Sequence, residues 1–140
     1  MDISHSIRIA APRNQIFARY ADVVSWPTWD SELIDVHLPA FAQGASGWLK
    51  PRQGPKSKIK LIEIKQDRCF TVESALPLCR MQFGHDLADE DGQTRVTHWV
   101  CFTGALAPLF RRLIGKGVAR SLPDTLAGLK LACEAGTPNA

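Results

Sequence analysis

His85 and His98 are the residues whose types and spacing most invite chemistry. They flank an Asp91-Gly92 dipeptide, and Asp-Gly favours a two-residue type I′ hairpin turn. That turn makes Glu90 and Gln93 the flanking pair. It then sets Leu87 opposite Val96, His85 opposite His98, Phe83 opposite Val100 and Met81 opposite Phe102. Side chains alternate faces along a strand, so the two histidines share a face with apolar neighbours, their Cβ atoms about 5 Å apart. A four-residue loop keeps this register, whereas a three-residue loop slips it and brings Thr97 opposite His85. Two imidazoles in an apolar wall suit general acid/base work on an enolisable molecule, or a hydrogen bond to a ligand oxygen. They suit equally well a bond to each other or to a buried water, with no chemistry attached.

His5 shares the inward phase of the first strand. A three-histidine metal site is imaginable there, but no carboxylate or supporting hydrogen-bond pattern accompanies it, and the expectation is no metal and no cofactor. Cys69, Cys79, Cys101 and Cys133 are widely and irregularly spaced, with no C-x-x-C pair. They read as reduced thiols, not as a zinc or thioredoxin-type site. No phosphate-cradling loop, nucleophile elbow or H-E-x-x-H helix is present.

The elements that must position these residues follow from periodicity. Residues 2–10 alternate as a half-buried strand. Pro12 suits the first position of a helix, and Ile16, Phe17, Tyr20, Val23 and Val24 form its apolar stripe. Ser25 reads as the cap of a second short turn holding Trp26, Pro27 and Trp29. Strands are then expected over 33–40, 44–50, 57–66, 68–76, 78–89 and 93–104. The apolar phase shifts between Ile59/Leu61 and Ile62/Ile64, which predicts a bulge. From Leu109 through Phe110, Leu113, Ile114, Val118, Leu122, Leu126 and Leu129 to Cys133 runs one long amphipathic helix, ended by Gly136 and Pro138. Pro123 inside it predicts a kink or break near Ser121.

The fold class is therefore α+β: seven antiparallel strands, two short helices after the first, and a long C-terminal helix as the only available cover for the sheet. A sheet wrapped around one helix cannot pack flush everywhere, so a cavity is expected between them. Its proposed wall is Cys79, Met81, Phe83 and His85 against Val96, His98, Val100 and Phe102. His5, Trp29, Phe110 and Ile114 contribute from the first strand and the helices. Trp26 and Trp29 would close one end. His37 reads as a surface residue, Trp48 as facing either way, and Trp99 as convex, a candidate surface for self-association. The loop PRQGPKS, with Gly54 between two prolines, is either an ordinary solvated turn or a flap whose Arg52 and Lys56 could meet an anionic group.

The chain has 140 residues, 45% hydrophobic and 22% charged, with a net charge of +3. That length and balance suit one domain, 1–140. The charge is too mild to argue for nucleic acid. Its basic clusters, at 50–60 and 111–120, read as solvated surface. No apolar run approaches the roughly 20 residues that span a bilayer. The start carries no secretory pattern, so the expected location is the cytoplasm and the expected state a monomer or weak homodimer.

Three stretches carry a resemblance: AAPRNQIFARYADVVSWPTWDSELIDV, DGQTRVTHWVCFTG and LAPLFRRLIGKGVARSLPDTLAGLK. With the W-P-x-W turn, the G-Q-T-R-V-T strand and the L-P-x-T-L-x-x-L-K helix end, the chain resembles the START-like, or SRPBCC, helix-grip superfamily. Within it the chain is similar to the polyketide cyclase/dehydrase-type proteins. The resemblance implies binding of a lipid, polyketide or aromatic molecule in the cavity, but no single chemistry. One alternative is an aromatase/cyclase or dehydratase using His85 and His98 as an acid/base pair. Another is a surface-acting accessory or co-chaperone-type module, for which Trp99 and the basic helix face would speak.

Overall fold

Alternating residues near the start form strand β1 (Ile3–Ile9), and its partner is the last strand to be made. In the computed structural model, which describes residues 2–135, β1 leads into helix α1 (Arg13–Ala21), a 3-10 turn (Val23–Ser25) and the short helix α2 (Trp26–Trp29). Six strands follow: β2 (Leu33–His37), β3 (Ser46–Pro51), β4 (Ser57–Lys65), β5 (Cys69–Leu76), β6 (Cys79–Glu90) and β7 (Gln93–Thr103). Helix α3 (Ala107–Ala135) closes the described chain. The seven strands form one antiparallel sheet in the order β1-β7-β6-β5-β4-β3-β2. Each hairpin pairs with the next, and only β1 reaches across the sequence. Gly136 and Pro138, expected to end the last helix, lie outside the described residues.

The β6–β7 register is the one the Asp-Gly turn predicts, with Glu90 opposite Gln93 and His85 opposite His98. Asp91 and Gly92 both have positive φ, 51° and 79°, as a type I′ turn requires. The expected bulge is present as a register shift between Leu61 and Glu63 in the β4–β5 ladder. An extra residue there increases the local twist.

Four local expectations need correction. Pro12 caps α1 from outside and is not its first residue. The Ser25 hydroxyl donates to the Asp22 carbonyl and makes no cap bond to α2. Pro123 does not break α3, which stays helical from Ala107 to Ala135. A proline inside a helix removes one backbone bond and crowds one carbonyl, and packing on both sides of Pro123 holds the helix through that loss. Finally, Leu109 and Leu113 are exposed, because the buried face of α3 runs through Ala107, Gly115, Leu122, Leu126 and Leu129, and Val24 is exposed because the 3-10 turn buries Val23 alone.

The core sits where α3 presses on β1 and β7, with α1 and α2 packed against its C-terminal half. Lys130 Nζ donates to the Arg8 carbonyl, and the Ala10 N–H donates to Glu134. These bonds fasten the end of α3 to the end of β1. Because the helix leans on β1 and β7, the limb of the sheet from β3 to β6 curves past it without touching along part of its length.

Candidate functional site

That gap is a cavity of about 580 Å³ between the β3–β6 limb, α2 and the middle of α3. The β3–β4 turn at Gln53, Gly54 and Pro55 forms part of its rim. Its wall is mainly apolar, with Ile59, Phe70, Val72, Met81 and Phe83 from the sheet and Leu122 from the helix. A concave, mostly apolar space with a few polar groups is what small-molecule sites share.

The histidines lie in this wall. Phe70, His85 and His98 are cross-strand neighbours on β5, β6 and β7. The His85 ring stacks on Phe70 with centroids 3.8 Å apart and planes 2° from parallel. Its Nδ1 donates to the Phe70 carbonyl at 3.1 Å. A carbonyl can only accept, so neutral His85 carries its proton on Nδ1 and presents a bare lone pair at Nε2. Burial pushes the His85 pKa down to about 4, against a smaller opposing effect of the Phe70 bond. The ring is nevertheless half-buried and not sealed, because it lines the cavity.

His98 does not bond His85. Their rings meet edge-on, 4.6 Å apart, while His98 Nε2 lies 2.7 Å from the Tyr20 hydroxyl. Burial, and then the neighbouring His85, hold His98 well below the usual histidine range. Burial likewise raises the Tyr20 pKa well above the usual phenol value, so its O–H is kept. Both imidazoles are thus neutral at pH 7. Tyr20 also packs its ring against Phe70, Trp29 and both histidines, and it is fully buried.

Tyr20→Phe is expected to keep that ring packing and strand one polar atom of His98. An unpaired buried acceptor costs about 1–3 kcal/mol. Chemical denaturation should show a loss of that size. No loss would mean that the Tyr20–His98 bond contributes nothing net.

Of the residues expected to form the wall, the structure brings together Trp29, Met81, Phe83, His85, His98 and Ile114. It does not place Cys79, Val96, Val100, Phe102, Phe110 or His5 there. Cys79, Val100 and Phe102 pack with Met81 and Ala107 into a buried cluster against which Phe110 also rests. Val96 belongs to the main core with Leu126 and Leu129. The reason is the lean of α3, which fills the β1–β7 end of the concave face and leaves the β3–β6 end open. His5 does face His98 in register, but β1 is an edge strand with one flank uncovered, and the side chain is exposed. Among the described residues, no group of three His, Cys, Asp or Glu side chains is placed to hold a metal ion.

Trp26 and Trp29 are both buried. The Trp26 indole donates to the Tyr20 carbonyl at 2.8 Å, whereas the Trp29 indole N–H is enclosed with no acceptor among the described residues. Trp99 lies on the convex face across Gly84, where any Cβ would overlap its ring, and its indole donates to Asp86. Trp48 stacks with His37 and carries Lys56 Nζ 3.9 Å above its ring. Arg52 donates to the Ser31 carbonyl and Lys50 to those of Gly54 and Pro51. The flap's cations are therefore engaged with the protein.

Sequence reasoning missed Tyr20, Asp30 and Thr125. Asp30 follows Trp29 and lines the cavity. Its Oδ1 accepts from the Glu32 N–H and from the Thr125 hydroxyl, each at 3.0 Å. Burial raises its pKa, and those two bonds oppose the rise. A signal existed for Tyr20 and Thr125. Each places a hydroxyl at a buried position of an apolar helical stripe, where it needs a partner.

Solved structures of low sequence identity share this architecture. A Thermus thermophilus protein, TTHA0849, superposes with a TM-score of 0.75 at 16% identity, covering 96% of this chain and 98% of that one. Ara h 8.0201 gives a TM-score of 0.71 at 11% identity, with 96% and 97% covered. The di-domain ARO/CYC StfQ of the steffimycin biosynthetic pathway gives 0.77 at 9% identity, with 96% of this chain and 51% of that chain covered. At such identities the likeness speaks for the fold alone. No curated protein sequence matches the chain. The family model described as polyketide cyclase / dehydrase and lipid transport matches residues 1–134. With its curved seven-stranded sheet around one long helix, the chain belongs to that START-like, helix-grip family.

Proposed function

We propose that the protein binds one small hydrophobic molecule, of lipid, polyketide or aromatic type, between the sheet and α3. The observation that carries this reading is the cavity of about 580 Å³, within the roughly 300–1,000 Å³ range of small-molecule sites. Trp29, Met81, Phe83, His85, His98 and Ile114 are its proposed contacts. No helix among the described residues is long and apolar enough to cross a membrane. In this reading the partner is the small molecule, not nucleic acid or bilayer. The protein would work in the cytoplasm as a monomer or weak homodimer.

The neutral fluorophore N-phenyl-1-naphthylamine tests the reading. It should bind at one equivalent with enhanced emission. Gly117 lines the cavity from α3 and has nothing within 4 Å of where a Cβ would stand. Gly117→Trp should therefore reduce binding about tenfold or more while leaving the fold intact. Absence of saturable binding by the unaltered protein would overturn the proposal.

A second reading, aromatase/cyclase or dehydratase chemistry, has one supporting observation: the Tyr20–His98 bond at 2.7 Å beside His85 in the cavity wall. An acid/base pair works best when one member titrates near the operating pH. Burial holds both histidines below that range. Binding is accordingly the reading preferred.

A further inference from the structure

We infer that His85 Nε2 is the specificity-determining acceptor of the cavity, and that it selects an uncharged, hydroxyl-bearing apolar molecule over its carboxylate, ammonium or purely hydrocarbon counterparts. The inference rests on the cavity being a binding site and adds what the bound molecule must carry.

Three observations converge on it. The first is the fixed orientation of the imidazole. Stacking on Phe70 at 3.8 Å and donation from Nδ1 to the Phe70 carbonyl leave the ring one tautomer and one pose. The acceptor is then held in place before any ligand arrives, which reduces the entropy lost on binding.

The second is the state of Nε2. No hydrogen bond to it is formed among the described residues, yet it is not among the enclosed, unpaired side-chain atoms, where only Trp29 Nε1 is found. Since His85 lines the cavity, the unpaired lone pair borders that open space. A donor arriving on a ligand would satisfy it.

The third is the charge of the wall. Among the described residues no Lys or Arg lines the cavity, whereas Asp30 and Glu32 do. Lys50, Arg52 and Lys56 at the rim are engaged with backbone carbonyls or with Trp48. A carboxylate entering would meet no cation and an unfavourable lone pair. An ammonium would find acceptors, but it must shed its hydration and satisfy three donors at once. A hydroxyl needs one acceptor, which is the one provided.

Four pyrene derivatives of nearly equal size separate these cases: 1-pyrenemethanol, 1-methylpyrene, 1-pyrenecarboxylate and 1-pyrenemethylamine. The alcohol should bind about tenfold or more tightly than 1-methylpyrene, and the two charged compounds more weakly than the alcohol. His85→Asn keeps an amide N–H to meet the Phe70 carbonyl but deletes the Nε2 position. It should abolish the alcohol's advantage over 1-methylpyrene, and saturable one-equivalent binding of 1-methylpyrene by the variant reports that the cavity survives. In the unaltered protein, the 15N resonance of His85 Nε2 should move upfield with the alcohol and stay in the lone-pair range with 1-methylpyrene.

Equal affinity for alcohol and hydrocarbon would overturn the inference while leaving the binding reading standing. So would a preference for either charged compound, or an alcohol preference that survives in His85→Asn. Failure of all four compounds to bind would overturn the inference and the binding reading together.

Discussion

Lowering the pH from neutral to about 4.5 is expected to remove roughly 2–3 kcal/mol of folding stability through His85 alone. The folded protein holds this histidine at about 4, against an ordinary value of 6.5. Between those two values the unfolded chain binds a proton that the native one refuses. Stability therefore rises with pH across that window and falls as acid is added. His98 is also depressed, and burial is again the main cause, so the loss steepens beyond one proton's worth. Asp30 and Asp86 have raised pKa values and act in the opposite direction. Asp2, Glu73 and Glu134 are lowered, and their contribution is lost only as pH falls below the ordinary carboxylate range. Unfolding free energies by chemical denaturation across about pH 4.5 to 7.5 would measure the slope, and His85→Asn should reduce it by about one proton. An unchanged slope in that variant would show that burial does not depress His85.

Gly128→Ala is the second large effect, an expected net loss of about 1 kcal/mol. The Trp29 carbonyl comes so close to Gly128 that an ideal Cβ would overlap its oxygen. Because the obstacle is backbone, α2 and α3 must move apart as units, and overpacking of this kind costs about 1–3 kcal/mol. Alanine returns about 1 kcal/mol of helix propensity, which is too little to reverse the sign. Gly117→Ala is the internal control. It gains the same propensity with nothing within 4 Å to collide with, so its midpoint should rise. The separation would also loosen the Thr125–Asp30 bond and the seat of Trp29, so binding of N-phenyl-1-naphthylamine should weaken in Gly128→Ala alone.

Much of the frame was legible because it rests on short-range rules. The Asp91-Gly92 turn set the β6–β7 register, and the phase slip around Leu61 announced the bulge. Period two identified the strands to within a few residues. The cavity was legible in kind but only half in place. Whether Met81 or Phe102 faces open space depends on the side toward which α3 leans, and both residues sit at the same phase of their strands. That lean is set by contacts such as Trp29 against Gly128, between residues far apart in sequence. Tyr20 and His98, whose bond spans 78 positions, escaped for the same reason. Each residue had a satisfactory local reading, as core tyrosine and wall histidine, that left its partner unnamed.

The pairing of the first strand with the last has a further consequence in time. From β2 to β7 each strand lies beside the one made just before it, so each finds its partner already synthesised. Strand β1 must wait, because its partner residues lie far downstream: Ser6 meets Thr97, and Asp2 accepts a bond from Phe102. Closing so long a loop is paid in chain entropy before any contact rewards it, which slows folding. Until β7 and α3 have emerged from the ribosome, β1 has neither an edge to join nor a helix to rest on. The nascent sheet meanwhile exposes the face that will line the cavity. The site is therefore among the last features to form, and its apolar wall is the surface most in need of protection during synthesis.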